Sequence, residues 1–409
     1  MKVPEQPVRQ DTQPQQQNKT EVKKRDKNVN LTSYRKKRKR RKRIIKLTAI
    51  TVGIAAFLFV WFNADEIFEP LRGIASKIET KTSYSVGFPI TLPGSTEYSF
   101  KQFGDSFSLL TDTYLYTYET TGEQIYALKH GYSHPVQVTS GKRIMLFDKS
   151  AYSFAVYSKT SLIYEEKLSD KIMYAAAGDN GLYAIVTDSS RYSNVLYIYD
   201  DGGNWKYTKK FADENIMQVC FTGSSEHIIV STISVENGEI LTNYYKYSIR
   251  DTEGYIWKYT FSGNSLPCGM YADKERVFSV CDNTVVSINC DDGSLLGEYR
   301  YSGTLKDFDF SEDLCIIQYN ETSTNKNNLV ALDASAQALS MQTVSSAAVR
   351  IRIYGDSVYA LDGANLKKYD SGLASEQDRL LLHEDYTDFI KIGSEVFLLG
   401  YDTVNNAVF

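Results

Sequence analysis

The sequence lacks the short motifs that mark most catalytic and cofactor-binding sites. It contains no Gly-rich phosphate loop, no HExxH, no GxSxG and no zinc-ligand spacing. Helical periodicity is also absent after Tyr84, where short alternating runs begin. These absences predict a protein that is not an enzyme, with no catalytic residues, no bound metal and no cofactor.

Histidine is scarce, with only four in the chain: His130, His134, His227 and His383. His130 and His134 flank the tripeptide GYS in a predicted loop, and a pair at this spacing could bind a metal ion or another ligand. Loop histidines are more commonly solvated polar residues. We therefore predict no metal ligands and leave the binding residues unassigned.

Cysteine is also sparse, and the number is odd: Cys220, Cys268, Cys281, Cys290 and Cys315. An odd number leaves at least one thiol free unless a pairing is intermolecular. Most of these residues lie in apolar runs such as QVCF and LCII, where cysteine behaves as a small hydrophobic residue. The pattern predicts mostly free, buried thiols rather than a disulfide framework.

What the chain does contain begins with a basic run next to an apolar segment. The nine basic residues are Arg35, Lys36, Lys37, Arg38, Lys39, Arg40, Arg41, Lys42 and Arg43. Residues 44–62 would span roughly 28 Å as a helix, close to the ~30 Å core of a bilayer. A nucleic-acid or nuclear-targeting patch would not need the adjacent apolar segment, and the preceding region is too long for a cleaved signal peptide. We predict an uncleaved transmembrane helix with a cytoplasmic N-terminus.

Charge is distributed very unevenly along the chain. Residues 1–46 contain 17 basic and four acidic residues, whereas residues 47–409 contain 29 basic and 46 acidic residues, a net charge of −17. A region this acidic is not expected to attract nucleic acid or anionic polymers through general electrostatics. No nucleic-acid partner is predicted.

Two phrases recur from Tyr84 onward. The first alternates apolar and polar residues and ends in an acidic or polar turn, as in VLYIYDDGGNW from Val195 and VVSINCDDGSL from Val285. Its eight copies are marked by Leu115, Ser153, Val195, Tyr244, Val285, Leu329, Asn365 and Asn406, at intervals of 36 to 49 residues. Four short strands in such a repeat are typical of a β-propeller blade. We predict an all-β propeller with eight blades, seven being the alternative.

The repeat also predicts how strands group into blades. The second blade is predicted to contain Ile144–Phe147, Phe154–Tyr157, Ile163–Lys167 and Ile172–Ala176. The last blade is predicted to combine both termini, from Val86–Leu92, Tyr98–Phe103, Val396–Gly400 and Asn406–Phe409. Such a blade would close the ring and leave no open sheet edge between the first and last repeats.

The second recurring phrase is an apolar strand that ends in aspartate: Asp112, Asp148, Asp188, Asp282, Asp362 and Asp402. Residues at equivalent positions in different blades are arranged around the ring and cannot converge on one site. We interpret them as turn residues, each capping its own turn two residues on, rather than as catalytic carboxylates.

Two copies of the repeat carry the sequence WKYT, in DDGGNWKYT (Asp200–Thr208) and DTEGYIWKYT (Asp251–Thr260). The repeat resembles the pyrroloquinoline-quinone-like propeller superfamily, whose blades carry an acidic turn with glycine and often a tryptophan. Trp205 and Trp257 keep that tryptophan, and no residue here matches the quinoprotein cofactor site. With its basic tail and anchor, the chain resembles an uncharacterised family of single-pass propeller proteins of Gram-positive bacteria, a domain of unknown function.

The predicted organisation is a disordered basic cytoplasmic tail at 1–43, a transmembrane helix at 44–64, a stalk at 65–83 and an extracellular propeller at 84–409. The predicted function is a membrane-anchored binding or scaffolding module for an envelope protein or another cell-surface component. The alternative is a propeller enzyme, either a quinoprotein-type oxidoreductase or a hydrolase of wall polymers.

Overall fold

The computed structural model describes residues 87–94, 97–141, 143–178, 181–223, 226–251, 254–344, 349–362 and 364–409. The chain divides into two units, Met1–Ser76 and Lys77–Phe409, and all of these residues belong to the second. The basic run, the predicted transmembrane helix and the predicted stalk lie outside the described residues. Within the described ranges, no helix has the length and apolar character needed to cross a membrane.

The described residues form eight antiparallel sheets of four strands, each of which is one blade. The first strand of the chain, β1 (Ile90–Thr91), belongs to the last blade. Blade 1 contains β2 (Ser99–Phe103), β3 (Ser106–Leu110), β4 (Tyr114–Glu119) and β5 (Gln124–Lys129). Blade 2 contains β6 (Pro135–Ser140), β7 (Arg143–Asp148), β8 (Ser153–Tyr157) and β9 (Leu162–Lys167). Blade 3 contains β10 (Ile172–Ala177), β11 (Tyr183–Thr187), β12 (Asn194–Tyr199) and β13 (Trp205–Phe211).

The next three blades follow the same order. Blade 4 contains β14 (Asn215–Phe221), β15 (His227–Glu236), β16 (Glu239–Ser248) and β17 (Trp257–Ser262). Blade 5 contains β18 (Pro267–Ala272), β19 (Arg276–Cys281), β20 (Thr284–Asn289) and β21 (Leu295–Arg300). Blade 6 contains β22 (Gly303–Phe310), β23 (Cys315–Glu321), β24 (Asn327–Leu332) and β25 (Ala338–Val344).

The last two blades complete the set. Blade 7 contains β26 (Val349–Tyr354), β27 (Ser357–Asp362), β28 (Asn365–Asp370) and β29 (Glu376–Leu381). Blade 8 contains β30 (Asp388–Ile392), β31 (Glu395–Leu399), β32 (Thr403–Val408) and, beside β32, the N-terminal β1. The prediction of eight blades is confirmed. The eight residues that mark the copies of the first recurring phrase each lie in the third strand of a blade, counted along the sequence.

The first strand of each blade lies at the centre of the ring. Each first strand contacts the first strand of the next blade in the series β2, β6, β10, β14 and β18. The same holds for the series β22, β26, β30 and β2, in which blade 8 meets blade 1. Gly269 of β18 lies directly against the Phe308 ring of β22, which connects the two remaining neighbours. The eight first strands therefore surround an axial channel, and the fourth strands form the outside of the ring.

The ring closes between the two ends of the described chain, as predicted, but with a different share of strands. Ile90 pairs with Val404 and Thr91 with Thr403, so β1 is the outer strand of blade 8. The C-terminal segment supplies three strands rather than two, because β30 is the first strand of that blade. The predicted strand Tyr98–Phe103 corresponds to β2, which instead begins blade 1.

The predicted blade boundaries were wrong by one strand throughout. The segment predicted to end blade 2, Ile172–Ala176, is β10 and begins blade 3, while β6 is the first strand of blade 2. The reason is that β10 pairs with the following strand, β11, rather than with the preceding outer strand, β9. Periodicity fixes the spacing of the strands but does not determine which neighbour each one pairs with.

Each blade is buried on both faces by its neighbours. The second strands are the most completely covered, and β7, β11 and β19 are buried along almost their whole length. Their sequences are accordingly nearly continuous apolar runs, such as RIMLF in β7. Between blades 8 and 1, the rings of Phe397 and Phe107 lie 5.0 Å apart, so the closing blade shares an aromatic core with the opening one.

Candidate functional site

Three of the aspartates that end second strands bind the chain that enters their own blade. Asp148 Oδ1 accepts a hydrogen bond from the backbone N–H of His134 (2.7 Å), immediately before β6. Asp188 and Asp282 accept from the N–H groups of Lys171 (2.8 Å) and Leu266 (2.9 Å), immediately before β10 and β18. The expected cap two residues further on was wrong for these residues, because the bond joins two strands across the sheet.

Capping of the local turn does occur, but at the acidic residue of the first phrase. Asp200 Oδ1 accepts from the N–H groups of Gly202 (3.0 Å) and Asn204 (2.8 Å). In the corresponding turns of blades 6 and 7, Asp333 accepts from the N–H groups of Ser335 and Gln337, and Asp370 accepts from those of Ala374 and Ser375. These aspartates connect third to fourth strands, and their hydrogen bonds are those of turn residues.

These same turns receive a side chain from the preceding blade. Tyr164 of β9 donates a hydrogen bond from its hydroxyl to the Asp200 carbonyl oxygen (3.1 Å) in the next blade. Trp257 of β17 is 6% exposed and donates from Nε1 to the Cys290 carbonyl oxygen (2.8 Å). At the corresponding position of blade 5, Gly297 brings its backbone so close to the Ser335 carbonyl oxygen that a Cβ would be 2.1 Å from it. The fourth-strand position of Tyr164, Trp257 and Gly297 thus contacts the next blade in each case. We call it the docking position.

The two WKYT copies occupy different structural positions. In blade 3, Tyr207 pairs with Ile198 and Trp205 with Tyr199, so Lys206 is an unpaired bulge residue. In blade 4, Trp257 pairs with Lys246, and the Ile256 N–H bonds to the same Lys246 carbonyl oxygen (2.7 Å). Trp257 therefore corresponds to the fully buried Tyr207, whereas Trp205 precedes that position by two residues and is 60% exposed.

The residues just before the docking position form the largest set of exposed apolar side chains at equivalent positions. They are 37% to 60% exposed and lie at the start of the fourth strand, or just before it, in five consecutive blades, 2 to 6: Leu162, Ile163, Trp205, Tyr255, Ile256, Leu295, Leu296 and Leu339. A β-bulge at this point turns an extra side chain outward, as the pairing of blades 2, 3, 5 and 6 shows. We call this set the apolar rim.

The apolar rim does not continue around the whole ring. Blade 7 has a bulge at the same place, but there the corresponding residues are Glu376 and Gln377. In blade 1 they are Gln124, which is exposed, and Ile125, which is half-buried. Among the described residues, exposed large apolar side chains at this repeated position are therefore confined to blades 2 to 6. Groups of exposed large apolar side chains mark interaction sites more often than single ones do.

The two histidines singled out in the sequence lie in the connection between blades 1 and 2. His130 is half-buried, and its Nδ1 accepts from the Tyr132 N–H (3.0 Å) while Nε2 contacts the Thr111 carbonyl oxygen (3.2 Å). Burial lowers the pKa of His130. His134 is exposed and lines a cavity of about 320 Å³ together with Glu97 and Asp112. Both ring nitrogens of His130 are thus engaged by the backbone, so the pair is not arranged as two free metal ligands.

The five cysteines are all free thiols, as predicted. Cys281, Cys290 and Cys315 are buried, in agreement with the prediction of mostly buried thiols, whereas Cys220 is half-buried and Cys268 is exposed. Cys268 lies at a bulge in the first strand of blade 5, where the residue has no cross-strand partner. In the part of the chain that the structure describes, no group of three or more histidine, cysteine, aspartate or glutamate residues is placed to hold a metal ion.

The axial channel has a charged side that sequence reasoning did not identify. It consists of six residues on the first strands of blades 6, 7, 8 and 1: Asp307, Asp309, Arg350, Arg352, Asp388 and Lys101. We call these six residues the charged channel wall. By contrast, the first strands of blades 2 to 5 carry no charged residue. The residues are 287 positions apart at the extremes, so only the closure of the ring brings them together.

Within the charged channel wall, the acidic groups bind the neighbouring strand. Asp307 Oδ2 accepts from the Ile351 N–H (2.8 Å) and Asp309 Oδ2 from the Ile353 N–H (2.7 Å). Arg352 donates from Nη2 to Asp388 Oδ1 (2.9 Å) and lies 3.5 Å from Asp307. These bonds connect β22, β26 and β30 without a sheet ladder between them.

Burial of the charged channel wall perturbs its titration. Burial raises the pKa of both Asp307 and Asp309, and Arg352 partly offsets that effect. Burial by itself would lower the pKa of Arg352, but Asp388, Asp307 and Asp309 together raise it. The arginine therefore remains charged and supplies the positive charge that the buried carboxylates need.

Comparison with known proteins identifies a family. Residues 77–381 match the profile of a family described as of unknown function (DUF5711). The predicted resemblance to a propeller family of unknown function is thereby confirmed. The membrane anchor, the Gram-positive origin and the quinoprotein-like character of the repeat stay predictions. No curated protein sequence is significantly similar to the chain.

Several solved structures share the fold at low sequence identity. Sqt1 from Saccharomyces cerevisiae superposes with a TM-score of 0.61 at 10% identity, covering 80% of this chain and 100% of Sqt1. BamB from Moraxella catarrhalis gives 0.55 at 10% identity, with 80% and 98% coverage. The WD40 domain of SCAP from fission yeast gives 0.51 at 10% identity, with 81% and 97% coverage. At such identities the similarity establishes the propeller fold and nothing further.

Proposed function

The chain belongs to the family of unknown function DUF5711, and for this member we propose the role of a membrane-anchored, extracellular binding module whose propeller recruits an envelope protein. The observation that carries the proposal is the apolar rim, an arc of exposed leucine, isoleucine, tyrosine and tryptophan side chains at one repeated position. Single exposed apolar side chains are common on protein surfaces, but their recurrence at one position of five consecutive blades supports an interaction site.

The proposed topology rests on the N-terminal sequence. Residues 44–64 cross the membrane, and the basic run from Arg35 to Arg43 keeps the N-terminus in the cytoplasm. The acidic propeller then lies outside the cell, where its negative charge maintains solubility. Tethering near the membrane raises the local concentration of the propeller around envelope proteins, so a moderate affinity at the rim is sufficient for recruitment.

The rim is suited to a protein partner by composition. Large aromatic and aliphatic side chains dominate, and aromatic residues contribute strongly to protein interfaces. Trp205 and Tyr255 occur on adjacent blades and are the two aromatic residues of the arc. They are the expected centre of the contact, and the leucine and isoleucine side chains on either side would exclude water from it.

Photo-crosslinking in native membranes tests the rim. A photoreactive amino acid is introduced into the full-length chain at Leu162 or Leu296, and the matched control carries it at Gln377, which is the bulge residue of blade 7 as Leu296 is of blade 5. We expect the rim positions to give one discrete adduct with an envelope protein and position 377 to give none. The adduct should be lost when Trp205→Ser and Ile256→Ser are added.

Equal adducts from positions 162, 296 and 377, or no adduct from the rim positions, would contradict the proposal.

Thiol labelling tests the topology separately. Cys268 is the exposed thiol among the five free cysteines, so a membrane-impermeant maleimide added to intact cells should label it if the propeller is extracellular. The Cys268→Ser variant is the control for site specificity. Labelling that occurs only after cell lysis would place the propeller inside the cell and overturn the proposed topology. Such a result would not affect the crosslinking test of the apolar rim.

A further inference from the structure

The connections between strands divide between the two faces of the propeller. Each blade is antiparallel from its first strand to its fourth, so the turns from third to fourth strand and those from first to second lie on one face. The connections from second to third strand lie on the opposite face. The apolar rim is at the start of the fourth strands, or just before it, and therefore belongs to the first of these faces.

The chain enters the propeller on the same face as the apolar rim. The fourth strand of blade 8 is β1, which pairs Ile90 with Val404 of the third strand in antiparallel register. Residues just before Ile90 therefore occupy the position that the rim residues hold in blades 2 to 6. The place of Gly87 agrees with this, because a Cβ there would lie 2.2 Å from the Thr121 carbonyl oxygen, in the turn from third to fourth strand of blade 1.

The segment between the proposed anchor and the propeller limits how far the propeller can move from the membrane. Residues 65–86 number 22 and span at most roughly 75–80 Å when fully extended. A partner in the same membrane can meet the face on which the chain enters without the chain passing around the propeller. The apolar rim lies on that face.

The turns beside the apolar rim are acidic. Both basic residues of these turns in blades 2 to 6 are paired with carboxylates outside them, Lys159 with Glu119 (2.9 Å) and Arg250 with Glu226 (2.5 Å). Among the described residues, the same turns contain six acidic side chains: Asp200, Asp201, Asp251, Asp291, Asp292 and Asp333. The apolar side chains of the rim are therefore bordered by negative charge.

This border distinguishes between the surfaces that a membrane offers. Anionic lipid headgroups attract basic segments, so an acidic border does not favour the bilayer itself. A protein surface on which basic residues surround an apolar patch is complementary to the rim in both respects. We propose that the apolar rim binds such a patch on the extracellular part of a protein embedded in the same membrane. The inference rests on the proposed function and names the kind of partner that is recruited.

Crosslinking followed by cleavage of the chain before the propeller tests this partner. The full-length chain carries the photoreactive amino acid at Leu296 and a protease site between Ser83 and Tyr84. After irradiation of native membranes, the site is cleaved and the membranes are washed with alkaline carbonate, which removes proteins that are not embedded. We expect the adduct to stay with the membranes, whereas propeller that has not been crosslinked is released.

Charge reversal tests the basic border of the partner. The double variant Asp201→Lys and Asp291→Lys should lower the yield of this adduct at least about fivefold, because both side chains are exposed beside the rim. The matched control is Glu236→Lys and Glu239→Lys, which makes the same change at an exposed hairpin on the opposite face and should leave the yield unchanged. Thermal melts check that both double variants are folded.

The outcomes separate this inference from the proposed function. An adduct that cleavage releases with a soluble protein, or as two linked propellers, would overturn the inference while leaving a binding role of the rim in place. Crosslinks to lipid alone, or an adduct yield that the two double variants change equally, would also overturn it. No adduct from position 296 before cleavage would overturn the proposed function itself.

Discussion

The indole Nε1 of Trp257 and the backbone carbonyl oxygen of Cys290 are 2.8 Å apart and join blade 4 to blade 5. The same carbonyl accepts a second hydrogen bond from Lys246 Nζ, also at 2.8 Å. The indole ring packs on Gly293 in the turn that follows Cys290, so both a polar contact and a steric fit depend on this one tryptophan. A fold of eight separate sheets needs such contacts, because among the described strands no ladder of backbone hydrogen bonds crosses from one blade to the next.

We expect Trp257→Ala to destabilise the propeller by about 3–5 kcal/mol, because it removes a large buried side chain and leaves a cavity between two blades. Trp205→Ala is the matched control, since Trp205 is exposed and its Nε1 bonds only locally, to Thr208 (2.7 Å). Its expected effect is within about 0.5 kcal/mol. Chemical denaturation of both variants measures the difference, and similar losses for the two would show that blade docking does not depend on Trp257.

A glycine pair separates steric fit from backbone conformation. Gly293 and Gly238 both have positive φ, +76° and +85°, which strains any residue with a side chain. A Cβ at Gly293 would lie 2.7 Å from the Trp257 ring, whereas a Cβ at Gly238 would meet no atom within 4 Å. We expect Gly293→Ala to lower the free energy of unfolding by about 1–3 kcal/mol more than Gly238→Ala. In a Trp257→Ala background the difference should disappear, and its persistence there would rule out the clash as the cause.

The repeat spacing was sufficient to predict the fold because it records a local property. Third strands alternate and lead into turns that a polar side chain caps, such as Asp200 in blade 3, Ser158 in blade 2 and Asn289 in blade 5, and these features lie within a few residues of one another. The grouping of strands into blades depends instead on pairing between segments, which the alternation does not encode. Hence β10 was assigned to the blade before its own, although the number of blades was right.

The candidate sites could not be predicted either, because they also depend on pairing and packing between segments that are distant in sequence. The two WKYT copies have identical letters, yet Trp257 is buried and Trp205 exposed, because the two tryptophans occupy different registers. Trp257 pairs at the docking position, whereas Trp205 lies two residues before that position, on the far side of the bulge at Lys206. The charged channel wall collects Lys101 and Arg352 from opposite ends of the propeller sequence, and only ring closure places them together. One signal in the sequence could have suggested the charged channel wall. The first strands GTLKDFDF and VRIRIY contain several charged residues, whereas the first strands of blades 2 to 5 contain none.

The turn aspartate Asp200 predicts a specific dependence of stability on pH. Burial would raise the pKa of Asp200, but hydrogen bonds from Lys206, Asn204 and Gly202 lower it to about 2. Because the pKa is depressed in the folded state, Asp200 contributes stability above its unfolded pKa of about 4, and this contribution is lost as the pH falls toward 2. We expect Asp200→Asn to have a lower Tm than the wild type at neutral pH.

The gap in Tm between the wild type and Asp200→Asn should narrow as the pH is lowered from about 5 to about 3, because protonation removes the advantage of the wild-type carboxylate. Thermal melts across this range measure it. Asp201→Asn is the neighbouring control, since Asp201 is half exposed and its nearest cation, Arg143, is 3.8 Å away. A gap that stays constant with pH would mean that Asp200 acts through its shape rather than its charge.

Blade 8, which closes the ring, takes three of its four strands from the C-terminal segment. Residues 396–409 contain nearly all of β31 and the whole of β32, and β1 has no other strand partner among the described residues than β32. Their removal would expose the unpaired backbone of β1 and β30 and would delete Phe397, whose ring lies 5.0 Å from that of Phe107 and 5.6 Å from that of Phe88.

We therefore expect deletion of residues 396–409 to unfold or aggregate the propeller. Each large apolar side chain that loses its burial, such as Phe397, Leu398 or Val404, costs roughly 1.5–3 kcal/mol, against a typical total stability of about 5–15 kcal/mol. Deletion of residues 1–34 is the control and should leave the melting temperature of the propeller unchanged, because that segment precedes the propeller and its predicted anchor. Melting curves of the two deletion variants decide the matter. A C-terminal truncation that melts within a degree or two of the intact chain would show that blade 8 does not need its C-terminal strands to hold the ring closed.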